Sequence, residues 1–252
     1  MIFARIAVLA GAAIIWQIVA AIYASPFIPG PLQVFHAGVE LIRNGDVNGN
    51  SLWVHIEASL GRVLGGFAIA TVTGVPFGIL LGLFPRVNMA LRVLIEPLRF
   101  IPPLAWIPMA LVILTGFSRY AFIIWLGAFF PIFLATMIGV PRVDPLHINV
   151  ARIHGAKWGW IVRKVVFPSI LPDILGGMRV GLGVAWMCIV AAEMIGGGLT
   201  GLGKLLLNYA ELLRMPEIVV GMIVIGVTGF VMNEVLLRFE KWAFAYRDEV
   251  TL

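Results

Sequence analysis

One stretch of the sequence approaches the spacing of a known chemical motif. Gly198, Gly203 and Lys204 are placed as in a phosphate-binding loop, where backbone amides and a lysine hold phosphate groups. Such a loop needs Ser or Thr next to hold magnesium, and the sequence has Leu205 there. No strand-turn-helix pattern surrounds the stretch. We therefore interpret it as a glycine-rich turn and not as a nucleotide site.

The other reactive side chains are few. The single cysteine, Cys188, excludes an internal disulfide and a multi-cysteine metal site. No Ser/His/Asp set and no carboxylate pair falls within an apolar run, so the sequence predicts no catalytic residue. The histidines also fall outside these runs, which argues against a metal or haem inside a membrane; they are His36, His55, His147 and His154. We expect no metal and no cofactor in this chain.

The composition indicates a protein that crosses a membrane several times. Of 252 residues, 61% are hydrophobic and only 12% are charged, too few charges to cover a soluble domain of this size. The net charge is +5, but the basic residues lie between apolar runs and form no single patch. A nucleic-acid partner is therefore a poor interpretation, and membrane lipid is the expected environment.

Six apolar runs separated by charges predict an all-α membrane protein, with six transmembrane helices in one domain over residues 1–252. The runs are expected from Met1 to Ala24, between Arg62 and Arg86, between Arg99 and Arg119, between Arg119 and Arg142, from about Asp173 to Glu193, and from Glu217 towards Arg238. A cleaved signal peptide is the alternative for the first run, but Ile22 stands where a small residue is needed. A short amphipathic helix is expected from Leu32 to Ile42, followed by Asn-Gly turns.

The basic residues also predict the orientation, because cytoplasmic loops carry an excess of Lys and Arg. With a cytoplasmic N-terminus, thirteen of the eighteen Lys and Arg residues face the cytoplasm and five face the other side. Those five are Arg43, Arg62, Arg119, Lys204 and Arg214. Both termini are then cytoplasmic, and so is a basic segment at residues 143–172.

That basic segment begins with the signals of a short helix. Asp144 predicts the start, since its carboxylate accepts hydrogen bonds from free amides, and Pro145 suits the first turn because it has no amide to satisfy. Gly155 predicts the end after His154, because glycine accepts the left-handed conformation of a helix cap.

A second helix is expected from Lys157 to Phe167, and Pro168 should end it. From these residues alone, an ordinary cytoplasmic loop explains the segment about as well as a docking element does.

The segment resembles the EAA loop in the membrane subunits of ABC importers, where Gly lies six residues after a Glu-Ala-Ala start. Ala151, Gly155 and the pairs Phe167-Pro168 and Leu171-Pro172 carry this resemblance. Further motifs resemble the nitrate, sulfonate and taurine branch of these permeases over roughly residues 29–239; they are residues 59–63 (SLGRV), 99–105 (RFIPPLA), 127–131 (GAFFP) and 190–193 (VAAE). Asn149-Val150 replaces the Glu-Ala of the loop, so the usual acidic contact to the ATPase is absent.

The resemblance implies the permease subunit of an ATP-driven importer, with a MetI-like bundle in the cell (inner) membrane. Two copies would pair over a cytoplasmic ATPase dimer that holds ATP and Mg²⁺. An extracytoplasmic binding protein would deliver a small solute, such as the anions nitrate, sulfonate or bicarbonate, or taurine. The residues expected to contact the ATPase are Asp144, Pro145, Asn149, Ala151, Arg152, Gly155, Ala156 and Lys157.

Three prolines open the third expected span, and each removes an amide donor and frees a carbonyl. Such backbone is tolerated at membrane depth only when it is buried in protein or faces a cavity. The residues alone allow either a packing kink or a broken helix beside a substrate route. In the resembling family the third to fifth spans line the pathway, which favours the second. The expected pathway residues are Pro102, Pro103, Trp106, Pro108, Trp186 and Glu193.

Two charges near the fifth span allow alternatives. Glu193 is either a pathway carboxylate or an interfacial one. Arg179 either reaches the headgroups or offers charge to an anionic substrate. The alternative function is a secondary transporter driven by an ion gradient, which needs a protonatable group near mid-membrane that the sequence does not clearly place. Glycines at positions 74, 78 and 82, and at 177 and 181, predict close helix packing.

Overall fold

The computed structural model describes residues 2–243, and these residues form helices and turns without a β-strand. The first four helices are α1 (Ile2–Tyr23), α2 (Pro31–Asn44), α3 (Leu52–Leu83) and α4 (Pro85–Phe100). The next four are α5 (Ile107–Ile113), α6 (Phe117–Gly139), α7 (Pro145–Ile153) and α8 (Trp158–Ile161). The last three are α9 (Phe167–Ile195), α10 (Leu202–Glu211) and α11 (Met215–Ala243). Of the basic residues used to predict orientation, Arg247 and the side chain of Arg5 lie outside the described residues.

Four helical segments are long and apolar enough to cross a membrane. They are Leu52–Leu83, Phe117–Arg142, Trp158–Ile195 and Met215–Trp242. A fifth candidate is the pair Pro85–Phe100 and Pro103–Ile113, which is bent by 85°. α1 adds a shorter apolar stretch, Ala10–Tyr23. The structure therefore confirms an all-helical membrane fold, and these segments together are consistent with the expected count of six.

The third span differs from the single helix expected between Arg99 and Arg119. α4 ends at Phe100, a 3₁₀ turn covers Pro103–Trp106, and α5 has only seven residues. The cause is the pair of adjacent prolines. Ile101 and Pro102 each precede a proline and have extended backbone, with ψ of 114° and 135°, because a following proline disfavours the helical conformation.

The fifth span was predicted to start near Asp173, after a helix ended by Pro168, and this prediction is wrong. The helical segment begins at Trp158 and continues through both Pro168 and Pro172. A π-helical turn, Val162–Val166, precedes Pro168, and the amide of Phe167 donates to the carbonyl of Val162 five residues back. Such a wide turn accommodates the ring and the missing amide of the proline without breaking the helix.

The second span also starts earlier than predicted, at Leu52 instead of Arg62. His55 therefore lies inside α3, and its side chain is fully buried. The expectation that all four histidines lie outside the spans is wrong for this residue. The short helix predicted from Leu32 to Ile42 is present as α2, and the predicted turns follow it, with Gly45 and Gly49 at positive φ.

The chain divides into two compact units. The first contains Met1–Leu60 and Glu193–Phe230, and the second contains Gly61–Ala192 and Val231–Leu252. In the first unit, the buried side of α2 includes Val34, Ala37 and Leu41. Gly38 of α2 approaches Val220 of α11, since a Cβ at Gly38 would lie 3.6 Å from that side chain.

In the second unit, α6 packs closely against both α3 and α9. A Cβ at Gly78 of α3 would lie 2.6 Å from Thr136 of α6, and one at Gly82 would lie 2.6 Å from Val140. On α9, a Cβ at Gly177 would lie 2.6 Å from the Cβ of Ala135. These contacts confirm the close packing that the glycine spacing predicts.

Candidate coupling loop and transport groove

The predicted cap signals act on α7 as expected. The carboxylate of Asp144 accepts a hydrogen bond from the amide of Leu146 at 2.8 Å, and Pro145 takes the first helical position. At the other end Gly155 has φ of +78°. Its amide donates to the carbonyl of Arg152 at 2.9 Å, and the amide of Ala156 donates to that of Ala151 at 3.0 Å. These two bonds form a Schellman cap, which needs a left-handed residue at Gly155.

α7 presents an apolar stripe to its surroundings. Leu146, Val150 and Ile153 are 63%, 47% and 83% exposed, and their spacing places them on one face of the helix. Of the predicted ATPase contacts, Ala151 and Ala156 are half-buried and the other six are exposed. The guanidinium of Arg152 lies 5.2 Å from the ring centre of Trp158, which connects α7 to α8. The apolar stripe was not predicted, although its i, i+4, i+7 spacing is readable in the sequence.

A cavity of about 1080 Å³ lies between α7 and the start of the fifth span. Leu146, Val150 and Ala151 line it from α7, so two of the three stripe residues border this cavity, and Lys164 and Pro168 line it from the other side. Arg142 and Asp173, which form an ion pair at 3.2 Å, also line the cavity. α7 is therefore held away from α9 over part of its length.

The second site of interest is the proline break before α5. A groove of about 430 Å³ lies beside it, with Pro103 from the break, Phe130 and Pro131 from α6, and Val180 and Val184 from α9 in its lining. Its walls are mainly apolar. Backbone freed by prolines therefore lies next to a cavity, as expected for a broken helix at membrane depth.

The structure brings together only some of the predicted pathway residues. Pro103 lines the groove, while Pro102 and Pro108 are exposed beside the break. Trp106 is half-buried and lies edge-on to Phe122, with ring centres 6.3 Å apart, and is not among the groove-lining residues. Trp186 is buried within the second unit.

Glu193 belongs to the first unit and is 1% exposed. The hydroxyl of Ser59 donates to its carboxylate at 2.8 Å and accepts from the amide of Leu202 at 2.9 Å. The amide of Gly203 donates to the same carboxylate at 3.0 Å. The hydroxyl and the carboxylate therefore satisfy two of the free amides at the start of α10, those of Leu202 and Gly203.

His55 extends this polar cluster within the first unit. Its Nδ1 lies 2.9 Å from the carbonyl oxygen and 3.1 Å from the amide nitrogen of Gly201, and its Nε2 lies 3.1 Å from one carboxylate oxygen of Asp46. The other oxygen of Asp46 accepts from the amides of Asn48 and Asn50 at 2.9 and 2.7 Å. His55 and Ser59 are one helical turn apart on α3, and this i, i+4 spacing was the sequence signal for the cluster.

A small cavity of about 140 Å³ lies near Asp46 in the first unit. Tyr209, Arg214 and Glu217 line it, and Arg214 pairs with Glu217. Burial raises the pKa of the Tyr209 phenol, and the nearby Arg214 charge opposes this effect. The phenol therefore stays protonated at neutral pH.

Arg179 of α9 pairs with Glu240 of α11 in the second unit. Neither of the two predicted roles for Arg179 included a carboxylate partner. The pair joins two helices that are far apart in sequence, which no short-range pattern signals.

Residues 74–243 match the family described as binding-protein-dependent transport system inner membrane component. The sequence is 38% identical to a putative ABC transporter permease protein of Methanocaldococcus jannaschii, over 96% of this chain and 91% of that protein.

Two further permease proteins are similarly related. One is the bicarbonate transport system permease protein of Synechococcus elongatus, 34% identical over 92% of this chain and 86% of the relative. The other is the nitrate import permease protein of Synechocystis, which is 35% identical over 90% of this chain and 84% of that relative.

A solved structure of the MetNI methionine ABC transporter, in an inward-facing conformation, contains a chain with a similar fold. The TM-score is 0.60 at 20% identity, and the match covers 74% of this chain and 96% of the other. At this identity the likeness concerns the fold alone.

Proposed function

Because this chain belongs to the family of binding-protein-dependent transport system inner membrane components, we propose that residues 1–252 form one permease domain that pairs with a second copy to import a small anion. The chain is an integral membrane protein and a permease component of an ABC importer. A separate cytoplasmic ATPase dimer holds ATP and Mg²⁺, and an extracytoplasmic binding protein delivers the solute. The membrane is the cell (inner) membrane, with both termini in the cytoplasm.

The observation that carries this proposal is the geometry of α7. It is a capped helix with an exposed apolar stripe, formed by Leu146, Val150 and Ile153, in a basic and polar segment of the chain. A soluble helix normally buries such a stripe, so an exposed one indicates a partner. We assign that partner as the ATPase, with the stripe seated in a cleft on its surface.

The connection between α7 and the fifth span supports a mechanical role. α7 ends at Ile153, and the helical segment that crosses the membrane begins only five residues later, at Trp158. Movement of α7 by the closing ATPase dimer therefore has a short path to α9. Because α9 also lines the groove through Val180 and Val184, this movement changes the shape of the groove and exposes it to one side at a time.

The proposed substrate class is a small anion. Two relatives of nearly equal identity are named for the small anions bicarbonate and nitrate, and a third, 32% identical, is named for taurine, which carries a sulfonate group. Overall identity does not distinguish the two, so the substrate proposal extends to the class and not to one member. The ion-gradient alternative is set aside, because the family works with ABC ATPases.

The test compares two glycines near α7. Gly155→Val places a branched residue at φ of +78°, while Gly159→Val adds the same side chain in α8; a Cβ at either position meets nothing within 4 Å. The two variants therefore differ in backbone strain, on the order of 1–2 kcal/mol or more at Gly155. We expect Gly155→Val to lose co-purification of the ATPase at normal permease levels, and Gly159→Val to keep it. If Gly155→Val retains its ATPase and its transport rate, α7 is not the coupling element.

Asn149 should affect how strongly the contact between α7 and the ATPase depends on salt. Because Asn149 replaces the usual glutamate, the contact lacks one ion pair, and its strength should depend less on salt than an ion-paired contact does.

A further inference from the structure

The groove beside the proline break is lined by one charged side chain. Arg99 is the one charged side chain among the described residues that line it, and the other lining residues are apolar or glycine. The groove therefore combines walls of low polarity with a single fixed positive charge. Such walls focus the field of a charge into the cavity.

The charge of Arg99 is not neutralised by another side chain. Its guanidinium lies 4.9 Å from the ring centre of Phe100, which also lines the groove. A ring holds a cation by its quadrupole and leaves the net charge unchanged. Within residues 2–243 no carboxylate lies within ion-pair distance of Arg99, whereas Arg92, on the same helix, pairs with Glu96 at 2.7 Å.

Arg99 also stands next to the broken backbone. It is the penultimate residue of α4, and the chain turns by 85° between α4 and the segment that follows. Pro102 and Pro103 carry no amide, so the carbonyls four residues before them, on Leu98 and Arg99, lose their usual helical donors. The charge is thus located where the helix opens onto the groove.

We propose that Arg99 determines the charge selectivity of this groove, by attracting small anions and repelling cations. This inference rests on the proposed import function and adds the residue that sets the class of solute. A single cation in an apolar groove favours an ion of the opposite sign and adds little for a neutral solute.

The test measures the electrostatic potential of the groove directly. Val180 lines the groove and is 59% exposed, so Val180→Cys in a Cys188→Ala background provides one accessible thiol. The full chain in lipid nanodiscs is treated with three methanethiosulfonates of similar size: the anionic sulfonatoethyl, the cationic trimethylammonium-ethyl and the neutral hydroxyethyl reagent. The readout is the rate ratio of the anionic to the cationic reagent, with the neutral reagent reporting access.

We expect Arg99→Gln to lower this ratio on the order of tenfold and Arg99→Lys to preserve it. The control is Arg92→Gln, which removes one charge from the same helix and should change the ratio less than twofold. An unchanged ratio in Arg99→Gln, or an equal fall in both Gln variants, overturns the proposal. Lack of reaction with the neutral reagent also overturns it, because the groove would then be closed to water.

The measurement needs no ATP, ATPase or binding protein. An unchanged rate ratio would therefore contradict the role of Arg99 but not the importer proposal. An absence of ATP-driven uptake would contradict the importer proposal but not the positive potential of the groove.

Discussion

A buried polar cluster joins α3 to the start of α10 in the first unit. Ser59 has no exposed surface, and its hydroxyl bonds both to the Glu193 carboxylate and to the amide of Leu202. His55 joins Gly201 to Asp46 one turn earlier. Buried groups of this kind contribute little when paired and cost much when left unpaired. The cluster should therefore be sensitive to small changes.

Ser59→Ala provides the test of this sensitivity. The change removes an acceptor from the amide of Leu202 and a donor from the Glu193 carboxylate, so we expect a loss of about 1–3 kcal/mol of unfolding free energy. Ser169→Ala is the matched control, since Ser169 is exposed and its hydroxyl donates only to Val165 of its own helix. Thermal unfolding in detergent should show a fall of several degrees for Ser59→Ala alone. Equal midpoints for the two variants would mean that the cluster does not stabilise the fold.

At the scale of the helix, two neighbouring glycines of α9 have opposite environments. A Cβ at Gly177 would lie 2.6 Å from the Cβ of Ala135 and 3.0 Å from the carbonyl of Pro131, whereas a Cβ at Gly176 would meet nothing within 4 Å. Backbone atoms of a packed helix do not move aside easily, so the close approach of α6 and α9 depends on Gly177.

Gly177→Ala should therefore destabilise the chain by about 1–3 kcal/mol, the usual cost of overpacking. Gly176→Ala should be neutral or slightly stabilising, because alanine is the better helix former. Urea or thermal titrations of the two variants measure the difference. A Gly177→Ala protein as stable as Gly176→Ala would show that these helices are not tightly packed at this point.

The helices also show what the sequence predicts reliably. The ends of α7 follow from Asp144, Pro145 and Gly155, because capping depends on residues within one turn. The glycine contacts of α3 and α9 likewise follow from their four-residue spacing. The same short-range signals did not reveal the Arg179–Glu240 pair, which joins positions 61 apart in sequence.

The prolines show why the rest of the fold is harder to predict. Pro102 and Pro103 break a helix, while Pro168 and Pro172 lie within one. The first pair is adjacent, so two extended residues follow one another and the helix cannot resume. Before Pro168 a π turn changes the hydrogen-bond register instead. Which outcome occurs depends on the neighbouring turns and on tertiary packing, and residue type alone does not specify either.

For the whole molecule, the charge distribution predicts a single orientation. Asn48 and Lys157 are both exposed, and the positive residues place them on opposite sides of the membrane. Asn48→Cys should react from outside intact cells with an impermeant thiol reagent, and Lys157→Cys should react only after permeabilisation. Cys188 is buried and should not react with the reagent. Labelling of Lys157→Cys from outside would reverse the orientation and place α7 away from the ATPase.

The central claim is that this chain is the permease of an ATP-driven importer supplied by a binding protein, and reconstituted uptake tests it most directly. The chain, its ATPase and its binding protein are placed in proteoliposomes, with the binding protein outside and ATP in the compartment of the ATPase. Uptake of nitrate, of bicarbonate and of a small sulfonate is measured with each component left out in turn. We predict that one of these anions accumulates only when the binding protein, the ATPase and hydrolysable ATP are all present. Uptake by the permease alone, driven by a proton or sodium gradient, would contradict the account.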